Sequence, residues 1–145
     1  MLHHTLPIQM KKILLIFSLV FLTNCAKEEI TNECFNNINI TGTIQLSNPE
    51  FIDLLVPSGY TTTRIAGRDI LIINTTSSGY KAFDLQCPEG DCSSSMTFDG
   101  TFIKCSCDDK QYNYLQGGRP TDGEGCFALE YNVLEGNGTL QISAQ

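Results

Sequence analysis

The chain is 145 residues long, 41% of its residues are hydrophobic and 17% are charged, and its formal net charge at pH 7 is −7. This length suits one domain preceded by a targeting segment. The acidic balance and the lack of a basic stripe argue against a nucleic-acid partner, which would need clustered Lys and Arg side chains.

The N-terminus has the pattern of an export signal. Met10-Lys11-Lys12 is followed by an apolar run over residues 13–22. That run is about half the roughly 20 residues that a bilayer-spanning helix needs, and it suits the core of a signal peptide. It ends in Leu22-Thr23-Asn24-Cys25, which resembles a bacterial lipobox. The resemblance implies cleavage before Cys25 and lipidation of that cysteine; a plain secretory signal and an uncleaved anchor are the alternatives.

Three segments follow from this pattern. Residues 1–24 are predicted to be a lipoprotein signal peptide, residues 25–37 a polar tether that begins at the lipidated Cys25, and residues 38–145 one domain. The expected location is the bacterial cell envelope, on the periplasmic or the outer-membrane face, with the membrane contacted through the lipid. Removal of Lys11 and Lys12 with the signal leaves 7 basic against 16 acidic residues, a net charge of −9, which favours solubility.

The predicted domain consists of short strands separated by turns. Alternating or β-branched segments predict strands, and a break at Asn48-Pro49 precedes a short helical segment over 50–56. Asp99-Gly100 and Gly136-Asn137-Gly138 predict hairpin turns. The predicted strands cover residues 38–46, 61–65, 69–75, 80–85, 96–98, 101–104, 111–115, 129–133 and 139–142. Many short strands with Gly-rich turns predict an all-β sandwich or barrel.

Cysteine content predicts disulfides. Besides Cys25, the chain has six cysteines, which are Cys34, Cys87, Cys92, Cys105, Cys107 and Cys126. An even number in an exported chain indicates disulfide bonding. Six cysteines allow 15 pairings, and their spacing alone does not choose among them.

Two fragments resemble the ligand loops of the Rieske iron–sulfur family. Cys87-Pro88-Glu89-Gly90-Asp91-Cys92 is similar to the family's C-x-H-x-x-C loop, and Cys105-Ser106-Cys107-Asp108 to its C-x-C-H loop. In that family one iron of a [2Fe–2S] cluster takes two thiolates and the other takes two imidazoles. The resemblance implies that Cys87 and Cys105 stand at the thiolate positions. It also implies that Glu89 and Asp108 stand where the histidines would be.

The resemblance extends to about residues 38–143. The segment Tyr80–Pro88 is similar to the strand that enters the first ligand loop, and Tyr112 matches an aromatic residue four positions after the second histidine. Gly117-Gly118-Arg119-Pro120 and residues 129–133 resemble the turn and strand after the second loop. The resemblance therefore implies an antiparallel Rieske-like sandwich or barrel with two converging cysteine-bearing loops.

The family's cofactor is not expected here. The two histidines, His3 and His4, lie in the predicted signal segment. Carboxylates are hard ligands, whereas iron–sulfur clusters are held by thiolates and, in this family, imidazoles. Lys11-Lys12 offers no twin-arginine signal for exporting a folded domain with its cluster. We therefore expect no cofactor, no metal and no enzymatic activity. A [2Fe–2S] electron carrier with non-standard ligands around Cys87 and Cys105 is the alternative.

Other metal sites are weaker alternatives. A four-thiolate cluster would use Cys87, Cys92, Cys105 and Cys107, and a zinc site would use Cys87 and Cys105 with the two carboxylates at the histidine positions. An acidic set near the two fragments is expected to be solvated, with calcium binding as the alternative, and consists of Asp84, Glu89, Asp91, Asp108 and Asp109.

The resemblance also implies a disulfide framework. Cys92 and Cys107 match the pair that joins the two loops in the family, and closing such a loop of about 15 residues contributes ~3 kcal/mol. If no metal binds, Cys87 and Cys105 are expected to pair as well, which leaves Cys34 with Cys126. The predicted role is a disulfide-stabilised binding or structural module, with an unidentified envelope protein as a candidate partner. A different β fold whose cysteine spacing matches by chance is a further alternative.

Overall fold

The computed structural model describes residues 34–145 apart from Ser77. The predicted signal peptide, the predicted lipidation site Cys25 and most of the predicted tether lie outside the described residues. Within the described part, every strand pair is antiparallel, and the helical segments are two short 3-10 turns, Pro49–Leu55 and Tyr114–Gln116. The prediction of an all-β antiparallel fold is confirmed.

Ten strands in the described part form two sheets. They are β1 (Thr41–Gln45), β2 (Tyr60–Ile65), β3 (Arg68–Thr75), β4 (Gly79–Asp84), β5 (Thr97–Phe98), β6 (Ile103–Lys104), β7 (Gln111–Asn113), β8 (Arg119–Pro120), β9 (Glu130–Gly136) and β10 (Thr139–Ser143). The larger sheet has the order β1-β10-β9-β4-β3-β2, and the smaller has the order β5-β6-β7-β8.

The larger sheet curves until its two edge strands touch. A Cβ atom added to Gly42 of β1 would lie 2.5 Å from Cγ2 of Ile65 on β2. No real side chain tolerates such a distance, so the glycine lets the edges approach. The six strands therefore form a nearly closed barrel around one apolar core.

Strand β3 separates that core from a second one. Four consecutive residues, Ile70 to Ile73, are at most 1% exposed. Because side chains alternate along a strand, Ile70 and Ile72 face the barrel core. Leu71 and Ile73 face a second buried cluster that includes four more groups from the smaller sheet and its loops, Cys87, Cys92, Cys105 and Tyr112. The cysteine-bearing loops thus pack against strand β3 of the larger sheet.

Local turn signals predicted two of the hairpins in the described part of the chain. Asp99-Gly100 connects β5 to β6, and Asn137-Gly138 lies in the hairpin of β9 and β10, with Asn137 at φ 51° and Gly138 at φ 74°. The strand predicted over 111–115 ends at Asn113, because the Asn113 side chain accepts a hydrogen bond from the amide of Leu115 and starts a 3-10 turn. Strand β8 was not predicted, since its two residues include a proline.

The described part of the chain contains no helix that is long and apolar enough to cross a membrane.

Asp84 is not a solvated loop charge as expected. Its carboxylate is buried at the end of β4 and accepts hydrogen bonds from Nε of Arg68, from the Tyr131 hydroxyl at 2.5 Å and from the Gln86 amide at 2.8 Å. Burial, followed by the hydrogen bond with Asp84, raises the pKa of Tyr131. A buried carboxylate is stable only when it is paired and hydrogen-bonded. This network fixes the chain directly before Cys87.

Replacing this carboxylate by a neutral amide should lower the free energy of unfolding. We expect Asp84→Asn to cost about 2 kcal/mol, because the partly buried Arg68 loses its charge partner. Urea denaturation of the oxidised protein measures the change. The control is Asp109→Asn, whose side chain is 84% exposed beside Lys104 and should cost less than about 0.5 kcal/mol. Equal effects of the two substitutions would contradict a stabilising role for the Asp84 network.

Candidate functional site

Two loops converge at one end of the smaller sheet. The first loop, residues 85–96, follows β4, and its ends are joined by a hydrogen bond from the Met96 amide to the Leu85 carbonyl at 2.6 Å. The second loop, residues 105–110, lies between β6 and β7 and is closed by the Cys105 amide donating to the Lys110 carbonyl at 2.9 Å. Closure at the base of each loop presents the cysteines side by side.

Two disulfides join these loops. Cys87 bonds to Cys105 with the Cα atoms 5.6 Å apart, and Cys92 bonds to Cys107 with the Cα atoms 5.8 Å apart. These separations are usual for disulfides. Cys92–Cys107 is the bridge that the family resemblance implied, and Cys87–Cys105 is the bridge expected if no metal binds. We call these four residues the cysteine site.

Three of the four sulfur atoms form a tight group. The Sγ atoms of Cys87, Cys92 and Cys105 all lie within 4.8 Å of one another, and all three residues are buried. Cys107 is exposed. The two bridges are therefore adjacent, and the outer one reaches the surface through Cys107.

A third disulfide lies outside the cysteine site. Cys34 bonds to Cys126 with the Cα atoms 5.9 Å apart, across 92 positions of sequence. It connects the end of the predicted tether to the segment before β9. The chain that leads toward the predicted lipid anchor is thus covalently attached to the domain next to the two loops.

Glu89 is held in an ion pair. Its Oε1 atom accepts hydrogen bonds from Nζ of Lys110 and from the amide of Cys126, each at 3.1 Å. The hydrogen bond that Lys110 donates to Glu89 is the main cause that raises the pKa of Lys110. A Cβ on Gly125 would lie 2.4 Å from Glu89 Oε1 and 2.7 Å from Lys110 Nζ, at a backbone φ of +86°. Glycine at this position leaves room for the pair.

Asp108 accepts a hydrogen bond from the backbone of the second loop. Its Oδ1 atom accepts a hydrogen bond from the Lys110 amide at 3.0 Å, which is a local turn interaction. Glu89 and Asp108 thus contact the side chain and the backbone of the same residue, Lys110. Sequence reasoning missed Lys110, although a cation placed two positions after Asp108 was a visible counter-charge for these loops.

Tyr112 lies beneath the cysteine site as a fully buried residue. Among the described residues, its hydroxyl has no hydrogen-bond partner. Burial raises the pKa of Tyr112, and the negative charges of Asp108 and Glu89 raise it further. Tyr112 is thus a core aromatic residue whose polar end has no partner in the described part of the chain.

The donor atoms do not fit a [2Fe–2S] cluster held by two thiolates and two imidazoles. Both histidines of the sequence, His3 and His4, precede the described residues. At the first imidazole position, Glu89 already accepts two hydrogen bonds at one oxygen. A zinc site that includes Glu89 would have to break the same ion pair. The soft-ligand atoms of this site are the four cysteine sulfurs, and they are bonded within disulfides.

The sequence matches no protein-family model and no curated protein. Among solved structures, the chain is similar to the ferredoxin of carbazole 1,9a-dioxygenase from Nocardioides aromaticivorans IC177, with 15% identity, a TM-score of 0.47, and coverage of 71% of this chain and 98% of that one. It is also similar to the E. coli protein NirD, with 13% identity, a TM-score of 0.45, and coverage of 74% and 94%. At these identities, an activity of either protein does not carry over to this chain.

Removing the unpartnered hydroxyl should stabilise the protein. We expect Tyr112→Phe to raise the free energy of unfolding by about 1 kcal/mol, because a buried hydroxyl without a hydrogen bond carries a desolvation penalty. Tyr131→Phe is the matched control. It loses a hydrogen bond to Asp84 and should lower the same quantity by about 1–2 kcal/mol. Urea denaturation of both variants measures these changes. A loss of stability in Tyr112→Phe would mean that its hydroxyl has a partner.

Proposed function

We propose that this chain is a lipid-anchored protein of the bacterial cell envelope. Its Rieske-like domain has lost the [2Fe–2S] cluster and serves as a disulfide-stabilised binding or structural module. The observation that carries the proposal is the Cys87–Cys105 bridge. This bridge joins the two positions where the family resemblance places the thiolate ligands, so the atoms that would bind iron are bonded to each other.

The charges around the bridge support the same proposal. Glu89 occupies a histidine position, yet it neutralises Lys110 and accepts the Cys126 amide. Extracting such a carboxylate to coordinate iron would break the closer of the two ion pairs of Lys110, which lies 3.1 Å from Glu89 and 3.9 Å from Asp122. Because Glu89 and Asp108 are both engaged with Lys110, they are also poor candidates for a general acid and base. We therefore propose a binding role rather than an enzymatic one.

An electron carrier is the second candidate, and a specific observation favours it. The Sγ atoms of Cys87, Cys92 and Cys105 lie within 4.8 Å of one another above the unpartnered Tyr112 hydroxyl. In a reduced protein these sulfurs would be neighbouring thiolates, which are the ligands that iron–sulfur clusters use.

Metal analysis separates the two candidates. We expect the full-length protein, purified anaerobically from membranes, to contain no stoichiometric iron or acid-labile sulfide and to lack iron–sulfur absorption bands. The double substitution Glu89→His with Asp108→His is the matched control, since it restores the family's ligand pattern. If the double variant binds iron and the wild-type protein does not, the loss of the cluster is due to the residues at these two positions. Stoichiometric iron and sulfide in the wild-type protein would overturn the cluster-free proposal.

Lipidation at Cys25 can be tested on its own. We expect radioactive palmitate to label the wild-type protein in growing cells and to be absent from a Cys25→Ala variant, because the lipobox cysteine is the attachment point. Cys34→Ala is the control, since it removes a nearby cysteine that is bonded to Cys126 and should stay labelled. Labelling of Cys25→Ala, or none in the wild type, would contradict the anchor.

A further inference from the structure

The two bridges of the cysteine site are close enough to exchange. Sγ of Cys92 belongs to the outer bridge, and it lies within 4.8 Å of both sulfurs of the inner Cys87–Cys105 bridge. Two atoms that are about to react typically lie about 3–3.5 Å apart. A shift on the order of 1 Å would therefore place Cys92 against the inner bridge.

The four cysteines differ in exposure, and this difference determines which bridge an external thiol reaches first. Cys107 is exposed, whereas Cys87 and Cys105 are 1% exposed and Cys92 is 7% exposed. An external thiolate consequently meets the outer bridge at the sulfur of Cys107. Attack there expels Cys92, and this leaving sulfur is the one that lies beside the inner bridge.

The first loop offers one hydrogen-bond acceptor to a thiol at either Cys92 or Cys87. The carbonyl oxygen of Ser94 lies 3.5 Å from Sγ of Cys92 and 4.0 Å from Sγ of Cys87. In the oxidised protein neither sulfur carries a proton. Once reduced, a thiol at either residue would donate a weak hydrogen bond to this same oxygen.

We propose that the cysteine site is a disulfide relay that passes reducing equivalents from an external thiol to the buried bridge. The proposal rests on the disulfide-bonded site of the proposed function and adds a redox activity to it. The reductant attacks Cys107, and the thiolate released at Cys92 attacks Cys87 or Cys105.

The steps balance in atoms and electrons. An external thiolate bonds to Sγ of Cys107, the bond between Cys92 and Cys107 breaks, and its electron pair leaves on Cys92. The Cys92 thiolate then bonds to one sulfur of the inner bridge, and the other sulfur leaves with the electron pair and takes up a proton. A second external thiolate attacks the mixed disulfide and releases Cys107. Two external thiols are oxidised to one disulfide, and the protein gains two electrons.

The surrounding charge indicates which thiols react best. Asp91 adjoins Cys92, and Asp108 and Asp109 adjoin Cys107 in sequence. The nearby cations are Lys104, which pairs with Asp109 at 3.0 Å, and Lys110, which pairs with Glu89. Carboxylates therefore outnumber ammonium groups, so a neutral or cationic thiol should approach more readily than an anionic one.

Two single substitutions test the relay in the full-length protein. Cys107→Ser and Cys92→Ser remove the same bridge, but only Cys107→Ser leaves a free sulfur beside the inner bridge. Alkylation followed by peptide mapping should find the label of Cys107→Ser divided between Cys92 and a residue of the inner bridge. In Cys92→Ser the label should remain on Cys107, with Cys87–Cys105 intact. Label confined to Cys92, or an equal rearrangement in both variants, would overturn the relay.

The wild-type protein provides a second test that does not depend on variant folding. With limiting cysteamine, acid quenching and alkylation should find Cys107 modified together with Cys87 or Cys105. At low salt, the rate of reduction by cysteamine should be at least about three times the rate of reduction by mercaptoethanesulfonate. Modification of Cys107 and Cys92 alone, or equal rates, would contradict the relay or its thiol preference. These results would leave the cluster-free proposal intact, whereas stoichiometric iron would overturn both.

Discussion

The adjacent bridges Cys87–Cys105 and Cys92–Cys107 are the constraint on which the site depends. Each joins a residue of the first loop to a residue of the second, so the two irregular segments cannot separate without breaking covalent bonds. Closing a chain segment of about 15 residues with a disulfide adds ~3 kcal/mol to the free energy of unfolding. The ion pair of Glu89 with Lys110 also connects the loops, and it forms where the bridges have already brought them together.

The two bridges hold the loops against a strand that is buried on both faces. Strand β3 is buried on both faces, so the barrel core and the sulfur-containing cluster share one wall. The buried Asp84 fixes the residue before the first loop through three hydrogen bonds. The third disulfide attaches the chain at Cys34 to the same end of the domain through Cys126. A lipid at Cys25 would therefore lie only nine positions before a covalently fixed point.

Local patterns predicted most of the strands and two of the hairpins, but not the polar contacts. Alternation and Asp99-Gly100 predicted elements because those signals act within a few residues. The burial of Asp84 could not be predicted, because its partners Arg68 and Tyr131 are 16 and 47 positions away. The Lys110 pair with Glu89 depends in the same way on loop convergence. The Cys92–Cys107 pairing followed from the family resemblance and the other two pairs from the expected absence of a metal, since spacing alone left 15 arrangements.

A disulfide map of the unreduced protein tests the sulfur pairing most directly. Proteolysis at mildly acidic pH, followed by mass spectrometry, should recover linked peptides for Cys87–Cys105, Cys92–Cys107 and Cys34–Cys126, with none of these six cysteines open to alkylation. Free thiols at Cys87 and Cys105, or a link between Cys87 and Cys92, would contradict the account in which sulfur–sulfur bonds replace a metal at this site.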